Sequence, residues 1–141
     1  MQNRLSLPAN FSTSASSRGW EAVNNKIQEN AKQLAFHHVI PEMNHNEIVG
    51  WTNSNPNMIP ILIRKVNEDD NIKNRFEALK NTDWKNIKVV EIFAKSNNHL
   101  SKILETIYIG DMVSIEIAKL NGVDPTPVEV IETLKSELGG K

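Results

Sequence analysis

Apolar residues recur at Trp20, Val23, Ile27, Ala31 and Leu34, every three or four positions. That spacing lays one apolar stripe along a helix starting near Ser16 and leaves Glu29 off the stripe. Met58 to Ile63 is an almost unbroken apolar run, the pattern of a short strand covered on both faces. Pro60 inside that run argues for a strand end or edge. Beyond Asp69 and Asp70, the residues Ile72, Phe76 and Leu79 repeat at helical spacing, and Ile87 to Phe93 reads as a second buried strand. Strand, helix and strand in this order predict a parallel crossover unit. A long helix is expected from Asn98 to Leu120, through Leu100, Ile103, Leu104, Ile107, Ile115 and Ala118, stopped by Asn121-Gly122.

The closing helix is expected to be capped by Thr126, with Pro127 in its first turn and Glu129 completing a capping box; its apolar positions are Val130, Ile131, Leu134 and Leu138. A short helix is expected from Asn44, with Glu47 three residues later and His45 in its first turn. Residues 10–17 are small and hydroxyl-rich, a composition that buries little on ordering. Residues 1–17 are therefore read as a flexible or loosely packed segment and residues 18–141 as the folded domain. Alternating strands and helices place that domain in the α/β class, with a small parallel sheet.

Composition narrows the function classes. With 141 residues, 39% of them hydrophobic, the chain has the length and apolar content of one domain with a core. Sixteen basic and seventeen acidic side chains nearly cancel and are interspersed, which argues against nucleic acid or an anionic membrane as partner. Cysteine is absent, so no disulfide, thiolate nucleophile or cysteine-bearing zinc site is available, and a reducing cytoplasm is compatible. The apolar runs are too short to span a bilayer, and the first seven residues lack the apolar core of a secretory signal. The scattered glycines form no dinucleotide or P-loop turn, so no cofactor is expected.

Ionisable and amide side chains are densest from Glu29 to Trp51, among them Glu29, His37, His38, Glu42, His45 and Glu47. A carboxylate and an imidazole brought together by a fold can serve as base and acid. Spacing alone leaves simpler readings open: Glu29 as a solvated helix carboxylate, and His45 as a surface imidazole at a helix start. His37, His38, Glu42 and His45 could be drawn as a metal set, but no pair has tight helical ligand spacing, so no metal is expected. The serine-rich stretch contains no glycine to let backbone N–H groups converge on a phosphate and reads as a linker. Tyr108 and Met112 could face a partner, although the apolar excess of their helix favours a core role. Trp20, Trp51 and Trp84 read as packing residues.

Several motifs occur in one order: Gln28-Glu29-Asn30-Ala31-Lys32, then Pro41-Glu42-Met43-Asn44-His45-Asn46-Glu47-Ile48-Val49-Gly50-Trp51, Tyr108-Ile109-Gly110-Asp111, Asn121-Gly122-Val123-Asp124-Pro125-Thr126-Pro127-Val128 and Leu134-Lys135. From about Arg18 to Leu138 the chain resembles the carboxy-terminal sugar-isomerase (SIS) domain of bifunctional phosphoglucose/phosphomannose isomerases. The resemblance implies a three-layer α/β/α SIS domain, incomplete relative to a two-domain enzyme. It implies a homodimer with its active site where domains and subunits meet, and no requirement for metal. The implied reaction converts glucose 6-phosphate and mannose 6-phosphate to fructose 6-phosphate through a cis-enediol. Glu29 matches the family's base and His45 its ring-opening histidine, which serves a neighbouring subunit. Lys135 matches the family's active-site lysine, at the ring oxygen or the enediolate. Thr126 is a candidate for helping the site accept both C2 epimers of the hexose 6-phosphate.

One departure stands against autonomous catalysis. The family holds the phosphate with a glycine-containing Ser/Thr-rich loop of the first SIS domain, which this sequence lacks. Leu5-Ser6-Leu7-Pro8 is the only candidate for the domain's opening strand. The alternative reading is a non-catalytic SIS module that binds a phosphosugar and regulates a partner.

Overall fold

The computed structural model describes residues 7–13, 17–53, 58–82 and 84–139. Four strands, β1 (Leu7–Thr13), β2 (Phe36–Ile40), β3 (Met58–Lys65) and β4 (Val90–Ala94), form one all-parallel sheet in the order β2-β1-β3-β4. Five helices accompany them: α1 (Ser17–Ala31), α2 (Glu47–Gly50), α3 (Asp70–Asn81), α4 (His99–Asn121) and α5 (Glu129–Glu137).

β3 explains why the sheet is two-sided. Leu62 packs into one core with Ile40, Met43, Trp51, Phe76, Leu79 and Trp84, whereas Ile61 and Ile63 belong to the opposite core with Val23, Ile27, Ala31, Ala35 and Ala118. Alternate residues of a strand point to opposite faces, so a strand covered on both sides must be apolar throughout. Pro60 was expected at an end or edge, yet β3 is an inner strand. β4 pairs with β3 only from Ile61 onward, so Pro60 lies where β3 is paired on one side, to β1.

The expected loose segment requires correction. Residues 10–13 belong to β1, which pairs with β2 through Ala9↔Phe36 to Thr13↔Ile40 and with β3 through Leu7↔Met58 to Ser12↔Ile63. Backbone pairing on both sides gives this polar stretch a place that its composition hides. Leu5 and Ser6 of the expected opening strand lie outside the described residues, as does Ser16. β2 carries no apolar run because it is an edge strand: Phe36 and His38 are exposed and only Ile40 is fully buried. β4 begins at Val90 rather than Ile87.

Helix ends differ from expectation in three places. Asn46, not Asn44, caps α2, its side chain accepting the Glu47 N–H at 2.6 Å, and residues Glu42–His45 form a separate 3₁₀ turn. Thr126 does not cap α5, which starts at Glu129 after Val128 with no side-chain cap. Leu34 leaves the α1 stripe because the helix ends at Ala31, and it is exposed. The long helix α4 behaves as expected at both ends: Asn98 accepts the Ser101 N–H at 2.7 Å, and Gly122 closes it at φ 67°. Trp51 and Trp84 are buried packing residues in edge-to-face contact at 5.1 Å.

Candidate active site

In a parallel βαβ unit the helix runs back against the strands. The carboxyl end of α1 therefore lies at the edge where the strands begin, and so does the carboxyl end of α4. Side chains tie these two ends together. Asn121 Nδ2 donates to Gln33 Oε1 at 3.0 Å and to the Ala31 carbonyl at 3.4 Å. Seven residues before Asn121 on α4, Ser114 Oγ accepts from Asn30 Nδ2 at 2.8 Å, and that hydroxyl donates to the Asp111 carbonyl.

Glu29 projects from this end of α1, its side chain 45% exposed, with Lys26 Nζ 3.2 Å from its carboxylate. Lys32 follows the helix with φ 52°, a left-handed conformation that L residues rarely adopt. Its ammonium donates to the Glu29 carbonyl at 2.5 Å and to the Pro125 carbonyl at 3.4 Å. In the turn that holds Pro125, the Asp124 carboxylate accepts the Thr126 N–H at 2.8 Å. That hydrogen bond holds the Asp124 carboxyl below its ordinary value, with the Lys32 charge acting in the same direction. Glu29 and the Thr126 turn thus share one edge of the domain. Lys135 sits on α5, exposed and paired with Glu132 at 3.2 Å.

His45 lies elsewhere. It ends the 3₁₀ turn that follows β2, at the edge where strands finish, and is exposed. At about 3.3 Å per residue, β2 spans about 13 Å between the edge that holds the end of α1 and the edge that holds the His45 turn. The chain does not bring these two residues together.

The His45 turn is braced from below. Met43 is buried in the core, and the Asn44 N–H donates to the Pro41 carbonyl at 3.0 Å. Just after the turn, Glu47 lies 2.5 Å from His38 Nδ1 and accepts from Trp51 Nε1 at 3.4 Å. Burial pushes the Glu47 carboxyl above its ordinary value; the His38 charge and the Trp51 N–H work against that shift. His37, His38, Glu42, Asn46 and Glu47 line an open cleft of about 410 Å³ here. Among the described residues no group of three or more His, Asp or Glu side chains is arranged to hold a metal ion.

Sequence reasoning did not single out Lys32 or Arg64. Arg64 is buried in β3, with its guanidinium 4.9 Å from the Phe76 ring centroid and 5.1 Å from that of Phe93. It also pairs with Glu68, Glu77 and Glu91. Lys32 closes the Gln28-Glu29-Asn30-Ala31-Lys32 motif, which gave it no separate role, and Arg64 directly follows the apolar run Met58 to Ile63.

Comparison with known proteins adds to this geometry. Residues 7–138 match the model of the bacterial phospho-glucose isomerase C-terminal SIS domain. A bifunctional phosphoglucose/phosphomannose isomerase of Aquifex aeolicus is 33% identical over 136 residues, 94% of this chain and 42% of that protein. The Caldicellulosiruptor bescii protein of the same name is 35% identical over 119 residues, 80% of this chain and 34% of that protein. The chain thus spans less than half the length of these relatives. Among solved structures, a glucose-6-phosphate isomerase like protein from Thermus thermophilus superposes with TM-score 0.67 at 18% identity, over 85% of this chain and 41% of that one. A glucosamine-6-phosphate deaminase from Thermotoga maritima gives 0.60 at 12% identity, over 88% and 38%. At such identities the structures establish the fold alone.

Proposed function

The chain belongs to the family of bacterial phospho-glucose isomerase C-terminal SIS domains, and we propose that it works as the carboxy-terminal half of an aldose–ketose isomerase acting on hexose 6-phosphates. Glucose 6-phosphate and mannose 6-phosphate would each be converted to fructose 6-phosphate. The observation that carries this reading is the exposed Glu29 carboxylate beside the Thr126 turn, on a helix end fixed by Asn30, Asn121 and Lys32.

In this reading Glu29 removes the proton from C2 of the aldose and returns it to C1 through a cis-enediol intermediate. A carboxylate suits the task because it must both accept and donate. A base that takes the proton from either C2 epimer gives the same enediol, and Thr126 would assist in accepting both. Lys135 would leave its exposed pairing with Glu132 to stabilise enediolate charge. His45, on the opposite edge, would open the sugar ring in the site of a second copy. That division of labour requires a dimer, and apolar side chains on α4 and α5 offer surface for such contacts: Leu104, Tyr108, Val130 and Leu134 are each more than half exposed. Phosphate binding would fall to a first domain of the kind that the longer relatives have room for. The cytoplasm, where hexose phosphates are metabolised, is the proposed location; no described helix is long and apolar enough to cross a membrane.

The test is deuterium exchange. Fructose 6-phosphate in D₂O is mixed with the chain alone and with the chain joined to a first-domain segment, and incorporation at C1 is followed by NMR. Exchange that needs the first domain and is lost in Glu29→Gln supports the proposal. No exchange in the joined form overturns it in favour of a phosphosugar-binding regulator.

A further inference from the structure

A lysine in the left-handed region is unusual, because its Cβ crowds the following carbonyl in a way that glycine avoids. Lys32 holds that conformation at φ 52°, immediately after the last residue of α1. Helices often end on such a residue, but glycine or asparagine usually fills the place. Strain of this kind persists where the surroundings over-determine it, and it concentrates at functional sites.

The surroundings of Lys32 are specific. Its ammonium takes the Glu29 carbonyl, one of the unpaired acceptors at the negative end of the helix, at 2.5 Å. The same ammonium reaches the Pro125 carbonyl, 93 positions along the chain. Pro125 stands between Asp124 and Thr126, whose own hydrogen bond at 2.8 Å shapes the turn. A glycine at position 32 would relax the backbone and end the helix equally well. It would lack the cation that bridges the two segments.

We propose that Lys32 is a positioning residue of the isomerase site, fixing the end of α1 that carries Glu29 against the turn that carries Thr126. The inference rests on the reading of Glu29 as the base. Lys32 transfers no proton; it sets the place from which the carboxylate reaches C1 and C2. Misplacement of a catalytic group by an ångström lowers turnover more than binding, since the substrate phosphate is gripped elsewhere.

The experiment compares Lys32→Gly, Lys32→Arg and Glu29→Gln in the isomerase assembled with its first domain, measuring kcat, KM and Tm. In Lys32→Gly the expected result is a kcat about 10- to 100-fold lower, a KM nearly unchanged, and a Tm equal to or above that of the parent. Lys32→Arg, which keeps the cation, is expected to recover most of the turnover. A Lys32→Gly kcat within about twofold of the parent, well below the loss a misplaced base would cause, overturns the inference. So does a loss that Lys32→Arg fails to restore. Glu29→Gln separates the two levels: if it retains activity, the reading of the base fails first, whatever Lys32 does.

Discussion

Gly110 of α4 lies so close to Val23 of α1 that a Cβ at position 110 would stand 2.4 Å from Val23 Cγ2. The Tyr108-Ile109-Gly110-Asp111 motif therefore has a packing explanation: the two helices cross where one of them has no side chain. Val23 itself is buried, in the core that α1 and α4 share with β3. Gly110→Ala is expected to cost about 1–3 kcal/mol, because Val23 is branched at Cβ and has few alternative rotamers. Gly50→Ala is the control, since nothing lies within 4 Å of its added Cβ. Urea denaturation of both variants measures the difference.

Arg64 gives a second prediction. Its guanidinium is 4% exposed and shares the interior with Glu68, whose side chain is 5% exposed. Removing the cation strands the carboxylate in a poorly solvated place, at a cost of about 3–5 kcal/mol. Arg64→Leu is therefore expected to be severely destabilising, and Arg64→Leu combined with Glu68→Leu less so than Arg64→Leu alone. A double variant as unstable as the single one would show that ring contacts with Phe76 and Phe93 dominate instead.

Glu47 predicts a pH dependence. Burial raises its folded pKa above the ordinary 4.5. Between that value and the folded one, the native chain keeps a proton that the unfolded chain has released. This group's contribution to stability therefore falls as pH rises through that window. The facing charges are His38, with His37 and Glu42 along the same cleft. Glu47→Gln, which cannot ionise, is expected to flatten the slope of stability against pH just above 4.5. An unchanged slope, measured by thermal melts in steps of pH, would count against burial as the governing influence on this carboxyl.

The surface of α4 predicts assembly. Leu100, Leu104, Tyr108 and Met112 follow one another at intervals of four residues, and all are exposed. The sequence favoured a core role for this helix, and its other face has one, with Thr106, Gly110, Ser114 and Ala118 buried. If the exposed stripe joins copies of the proposed dimer, Leu104→Glu and Tyr108→Glu are expected to shift sedimentation equilibrium toward monomer while far-UV circular dichroism stays unchanged. Unaltered association would place the dimer contact on another surface.

Local chemistry alone determined much of this protein. The periodicity of Val23, Ile27 and Ala31 gives α1, the apolar run at Met58 gives β3, and Asn98 with Gly122 bounds α4, because these signals depend only on neighbours along the chain. Ordered motifs likewise carried the family and pointed to Glu29, His45, Thr126 and Lys135 as candidates. Tertiary structure decided the rest. β1 is polar enough to read as an arm, and it became an inner strand because β2 and β3 satisfy its backbone on both sides. β2 carries His37 and His38 because an edge strand tolerates polar residues. Thr126 lost its expected capping role because α5 starts only at Glu129, three residues beyond it. The distance between Glu29 and His45 could not be read from the fifteen intervening residues, since it depends on which edge of the sheet each helix end and turn reaches. Only the fold puts Lys32 beside Pro125, because contact between residues 93 positions apart follows from the packing of α1 against α4.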